Sequence, residues 1–136
     1  KCIGCAECLA ICRFDAITYD FGVESEILQK NVAEHAAGAL KGKENRAVFF
    51  NYVMSVTKDC DCFDTPNMPI IVNDIGILAS TDPVAVDKAA IDLVQTATGK
   101  KLGNLIKNDK LNPFYQIGHA EYIGLGSTKY ELVEIS

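Results

Sequence analysis

Basic residues are scarce in this 136-residue sequence: 13 Lys plus Arg stand against 18 Asp plus Glu, for a formal net charge of -5. The basic residues form no block or stripe, so the chain offers no electrostatic footprint for a phosphate backbone, and no nucleic-acid partner is expected. Apolar runs are short as well. The longest, such as Ala47 to Phe50 and Ile75 to Ala79, fall far below the roughly 20 residues needed to cross a bilayer, so no membrane partner is expected either. No internal repeat and no low-complexity segment is present. Only two histidines occur, His35 and His119; without paired ligand spacing, each reads as structural. The chain also lacks an initial Met. It opens on Lys1 with a cysteine motif one residue later, so a segment upstream, and any targeting signal with it, is expected to have been removed.

What is present is enough for a core. With 49% hydrophobic and 23% charged residues, the composition is that of a single globular domain. Asp15 to Tyr19 reads as a short strand. From Glu24 to Lys41, Leu28, Val32, Ala36, Ala39 and Leu40 recur at helical spacing, with Gly42 as the C-terminal cap. Arg46 to Val56 is almost continuously apolar, as in a strand covered on both faces. Pro69 to Val72 and Ile75 to Ala79 are shorter runs. They lead to a helix that Asp82 caps and Pro83 opens; Val86, Ala89, Ala90, Leu93, Val94 and Ala97 lie on one face, and Gly99 ends it. Lys100 to Pro113 reads as turn-rich, Phe114 to Ile123 as helical, Gly124 to Gly126 as a turn and Lys129 to Ile135 as a last strand. The fold class expected is α/β or α+β, a small mixed sheet with covering helices.

The six cysteines are Cys2, Cys5, Cys8, Cys12, Cys60 and Cys62. Grouping this tight points to metal in a reducing compartment, hence the cytoplasm, and not to a disulfide framework. Cys2 to Cys12 match C-x2-C-x2-C-x3-C position for position. Thiolates at this spacing can wrap one face of an iron-sulfur cube, and Gly4 eases the loop between the first two. Zinc also takes four thiolates, but zinc modules usually separate two C-x2-C pairs by a dozen residues or more. The expected cofactor is therefore a 4Fe-4S cluster held by Cys2, Cys5, Cys8 and Cys12, with a structural zinc module as the alternative.

Thr57 to Cys62 follows the Arg46 to Val56 strand, and ligands collect at the C-terminal ends of strands in open α/β sheets. Cys60 and Cys62 could both face a metal, with Asp59 and Asp61 adding oxygen ligands; a polar loop with two ordinary thiols is the equal alternative. Asp74 and Ser80 to Asp82 could line the same cleft, where the helix start would favour a small anion. The stronger reading of Asp82 is a helix cap.

Residues 1 to 20 resemble half of a bacterial-type 4Fe-4S ferredoxin. One departure is Arg13 where such proteins carry Pro after the fourth Cys, so the chain around Cys12 is expected to be looser or more exposed. The resemblance implies crossed ligation: Cys2, Cys5 and Cys8 on one cluster, and Cys12 on a second whose other ligands lie upstream, which leaves the cluster incomplete or absent in this piece. Residues 21 to 136 resemble the C-terminal half of the domain of unknown function 362 family, through Asn51 to Cys62, Asp74 to Asp87 and His119 to Ile135. That likeness implies a larger iron-sulfur protein of anaerobes, whose partner is a redox protein or the upstream part of the same chain. Electron transfer is the first functional expectation. An enzyme binding a small anion or metal near Cys60, Cys62 and Asp82, with a structural cluster, is the second; no reaction is assigned.

Overall fold

Helix α3 follows its punctuation closely. In the computed structural model, which describes residues 7–14, 16–17, 25–43, 46–58, 68–108 and 112–135, it runs over Pro83–Thr98. Asp82 is its N-cap, Pro83 supplies the first-turn residue that needs no N–H partner, and Gly99 closes it in the left-handed conformation (φ 64°). Its buried residues are Val84, Ala85, Val86, Ala89 and Val94. The buried face thus reaches further toward the N-terminus than the periodicity predicts, and Ala97 is exposed.

Before α3 come α1 (Glu7–Ile11), α2 (Ser25–Leu40), β1 (Phe49–Val53), β2 (Val56–Thr57), β3 (Ile70–Val72) and β4 (Gly76–Ser80); after it come α4 (Leu102–Leu105) and α5 (Phe114–Tyr122). β1 pairs with β4, and β2 with β3, both antiparallel. The class is mixed α/β, with two antiparallel two-stranded sheets among the described residues.

The expected Arg46 to Val56 strand differs in two respects. It breaks after Val53, where Ser55 takes a positive φ of 51° and donates its N–H to Asp74 Oδ1 at 2.7 Å, starting β2 on a new line. It is also covered on one face only: Val53 is buried, whereas Phe50 and Tyr52 are 57% and 68% exposed. A strand with one antiparallel neighbour and a single helix beneath it alternates in this way.

Helix α3 is the spine between two apolar clusters. On one side Val84 packs with Ala33 of α2 and with Ile117 and Ala120 of α5. On the other, Val94 meets Val53 and Val72, with Leu78, Leu102 and Leu105 around them. Helix α4 was not expected inside the Lys100 to Pro113 stretch; four residues are too few to show a period, yet Leu102 and Leu105 anchor it to this cluster. Helix α2 buries Ala33 and leaves Leu28 and Val32 more than two-fifths exposed, so its predicted stripe meets the contact only in part, with Ala36 lining the seam against Ile117 and Ala120. Of the strand predicted over Asp15 to Tyr19, the described residues Ala16 and Ile17 are exposed and not in a strand; the remainder lies outside the described residues.

Lys129 to Ile135 is exposed chain and not the strand predicted. β-propensity makes a strand only where a ladder partner is available; here polar contacts hold the segment instead. Thr128 gives its N–H and its hydroxyl to Glu121 Oε1 at 2.7 and 2.8 Å. Tyr130 Oη donates to Asp92 Oδ2 at 2.8 Å, and Lys88 completes an ion pair with Asp92 while lying 5.5 Å from the centre of the Phe114 ring.

These contacts set a pH window. The Thr128 N–H and hydroxyl hold Glu121 below the usual glutamate range. Burial pushes Asp92 up, but hydrogen bonds from Lys88 and Tyr130 outweigh it and leave the carboxyl low. Burial, and then Asp92, raise the Tyr130 phenol. Lowered carboxyl values mean a contribution complete above about pH 4.5 and lost as pH falls through them; the raised phenol value means one complete below about pH 10 and lost above it. The Thr128 amide and Tyr130 ring resonances should therefore stay constant from about pH 5 to 9 and move below about pH 4. Unchanged resonances in acid would show that the carboxylates do not hold the segment.

Candidate functional site

Helix α1 carries Cys8 and Cys12. The Cys12 N–H donates to the Cys8 carbonyl at 3.2 Å, which puts the two residues one helical turn apart on a common face. Glu7 stands in the first turn and no residue of α1 is buried. Cys8 is exposed and Cys12 half-buried. Arg13 and Phe14 form a turn after α1, Phe14 with 89% exposure. Cys2 and Cys5 lie outside the described residues. So do Asp59, Cys60, Asp61 and Cys62, which connect β2 to β3 beyond the Thr57↔Ile70 pair. No group of three or more metal-ligating side chains occurs among the described residues. Each of these two thiols, one exposed and one half-buried, is chemically suited to ligate a metal.

The acidic residues do not form the cleft expected of them. Asp74 precedes β4 and Asp82 follows it, so the strand holds them about 25 Å apart at roughly 3.3 Å per residue. The register agrees: Val53↔Gly76 marks one end of the β1–β4 pair and Phe49↔Ser80 the other. Asp74 accepts the Ser55 N–H and fixes the break between β1 and β2. The rule that placed ligands at strand ends concerns open parallel sheets, and these sheets are antiparallel.

Asp82 is a structural hub. Its Oδ1 accepts the N–H groups of Val84 and Ala85 at 2.8 and 3.0 Å, and its Oδ2 accepts that of Ser127 at 2.8 Å. Its own N–H donates to Ser80 Oγ at 3.0 Å, and its carbonyl accepts the Val86 N–H at 3.2 Å. With Pro83 lacking an N–H, the first turn of α3 has no donor left for an anion, and the carboxylate adds a negative charge where one would bind. Gly126 is required by the same contact, because a Cβ there would stand 2.0 Å from Asp82 Oδ1. The Ser80 to Pro83 and Gly124 to Ser127 motifs, far apart in sequence, are thus two halves of one joint. The Gly124 to Gly126 segment is a turn, as read from sequence, with Gly124 N–H on the Glu121 carbonyl and Leu125 N–H on that of Ala120.

Next to this joint a cleft of about 680 Å³ opens between the end of α2, the start of β1 and the 123–125 turn. Leu40, Ala47, Phe49 and Leu125 give it apolar walls, and Lys41 and Lys43 stand at its edge. Lys43 Nζ donates to the Ala39 carbonyl at 2.7 Å, finishing α2. Its volume lies in the range of small-molecule sites, and nothing in the sequence pattern marks it, because its walls come from four separate segments. His119 Nε2 lies 3.0 Å from Glu34 Oε1 and its ring stacks on Tyr122, joining α5 to α2; His35 is exposed on α2. Among the described residues, neither stands in a group of three or more metal-ligating side chains.

The family model described as Domain of unknown function (DUF362) matches residues 3–92. No curated protein matches the chain, and no solved structure does.

The Asp82 joint is open to direct test. Asp82→Ala should lower unfolding stability by about 1–2 kcal/mol through loss of the cap, and Gly126→Ala by about 1–3 kcal/mol through overpacking, both read from urea unfolding. A double variant destabilised by less than the sum would confirm that the two share one contact.

Proposed function

The chain belongs to the DUF362 family, and we propose that it binds a 4Fe-4S cluster through Cys2, Cys5, Cys8 and Cys12 and serves in electron transfer. The observation that carries this reading is the C-x2-C-x2-C-x3-C run, supported by the single exposed helical turn that sets Cys8 and Cys12 on one face. Such a cluster supplies one-electron redox chemistry at a potential tuned by burial and by hydrogen bonds to sulfur. The chain's own part is to hold iron through thiolates, with Arg13 placing a positive charge directly after Cys12. Exposure of α1 leaves the thiolate face open to a redox partner.

Of the second expectation, an enzyme binding a small anion or metal near Cys60, Cys62 and Asp82, the geometry bears only on the anion at the start of α3, where Asp82 already takes the donors an anion would use; Cys60 and Cys62 lie outside the described residues. No helix among the described residues is long and apolar enough to cross a membrane, and a cytoplasmic, reducing setting accords with the clustered thiols.

Anaerobic reconstitution tests the reading. Iron and inorganic sulfide should bind in equal amounts and give a broad absorbance at about 400 nm, and Cys8→Ser should abolish most of it. One equivalent of zinc in anaerobically purified protein, with no iron uptake, would replace the cluster with a structural zinc module. Metal removal offers a second check. Because α1 buries nothing and both apolar clusters form without it, chelation should leave the urea midpoint of the body unchanged; a large drop would mean that metal binding is coupled to folding, as in zinc fingers.

A further inference from the structure

The face of β1 that meets α3 carries a polar residue between two apolar ones. Phe49, Asn51 and Val53 alternate toward the helix, and Val53 joins an apolar cluster on it, yet the residue between them is a carboxamide. Asn51 Nδ2 donates to Asp87 Oδ1 on α3 at 2.8 Å. The second Asp87 oxygen and the Asn51 side-chain carbonyl meet no donor among the described residues. Nor is the charge of Asp87 met by an ion pair there: Lys88, next to it on α3, is held by Asp92, and Lys30 of α2 by Glu26. Two apolar side chains of similar shape would serve stability as well or better. A polar pair at a core-facing position, with acceptors left over, is the kind of departure from the packing pattern that marks a site.

The pair lies on a cleft of about 460 Å³ among α2, α3, α4 and α5, a volume within the range of small-molecule sites. Ile91, Leu102 and Pro113 give it apolar walls, Gln116 adds a second carboxamide, and Asp87 is the one charged residue among its described walls. We infer that this cleft binds a small organic cation, a primary ammonium group on a short aliphatic chain. An ammonium brings three N–H donors to the acceptors of Asp87, Asn51 and Gln116, and its charge offsets that of Asp87. The aliphatic chain lies along Ile91, Leu102 and Pro113. An anion would meet the Asp87 charge with no cationic group to receive it. A hard divalent ion, which takes six oxygens or more, gains nothing from aliphatic walls. The cleft shares no residue with the cysteine segment, so this reading stands apart from the cluster.

Titration of butylammonium chloride into the 136-residue chain, reduced and metal-free at constant ionic strength and pH 7, tests the inference by amide nuclear magnetic resonance. The Asn51 and Gln116 side-chain amides and the Ile91 backbone amide should shift saturably, half-complete at about 1–10 mM. 1-Butanol and butyrate, of the same chain length without the positive charge, should bind at least about tenfold more weakly. Asp87→Asn keeps an acceptor for Asn51 and removes the charge, and should also weaken butylammonium at least about tenfold. Should that variant fail to fold, Gln116→Glu, which adds a carboxylate to the same wall, should instead tighten binding severalfold. The inference is overturned by the absence of saturable shifts up to about 100 mM, by equal binding of 1-butanol, or by unaltered affinity in either folded variant.

Discussion

A single carboxylate joins the parts of this fold that sequence distance separates most. Asp82 takes two N–H groups from the start of α3 on one oxygen and one from Ser127 on the other, so the helix that spans both apolar clusters is capped by the same carboxylate that anchors the turn after α5. Gly126 lets the turn approach this closely. Loss of the joint would leave three backbone donors without a partner in a half-buried place, where each unmade bond costs more than a made one returns. The positions of α2 and α5 follow, since both pack on the N-terminal half of α3, and so does the cleft between them.

How much of this was legible in the sequence depended on the range of the interaction. Local signals held: Asp82-Pro83 and Gly99 bracketed α3, Gly42 followed α2, and the run before Ile123 formed α5. Signals that needed a distant partner did not. Lys129 to Ile135 has strand composition but finds Asp92 and Glu121 in place of a sheet edge. Arg46 to Val56 reads as a doubly covered strand because apolar runs such as Ala47 to Phe50 and Tyr52 to Met54 look alike whether their second face is covered within the chain or bare. The Asp82–Gly126 contact has one trace in sequence, two glycines flanking Leu125, and that trace cannot name its partner.

The candidate site was legible in the same uneven way. The cysteine spacing is a local signal, and the i, i+4 relation of Cys8 and Cys12 follows from C-x3-C once the segment is helical. The cleft proposed from Asp74 and Asp82 rested on a rule for parallel sheets, and an antiparallel pair sends the two acids to opposite ends of one strand. Asp82, half-buried and acidic at a helix start, had the outward marks of a binding residue. Three backbone donors on its oxygens give the reason for it without any ligand.

The proposed chemistry is therefore kept apart from the packing that stabilises the body. Packing around α3 uses no cysteine among the described residues, while the cysteine-bearing helix contributes nothing to that packing. A metal centre on such a segment can exchange electrons, or be lost, without disturbing the body. The cost falls on the centre, since an exposed cluster is open to water and oxidants, and its potential is set less by this chain than by whatever covers it. Under the proposed reading, the cluster would work against another protein surface, or against further chain, and not as an isolated relay. The exposed side chains next to Cys8 and Cys12, Ile11 and Phe14 at 66% and 89%, are where such a cover would gain most.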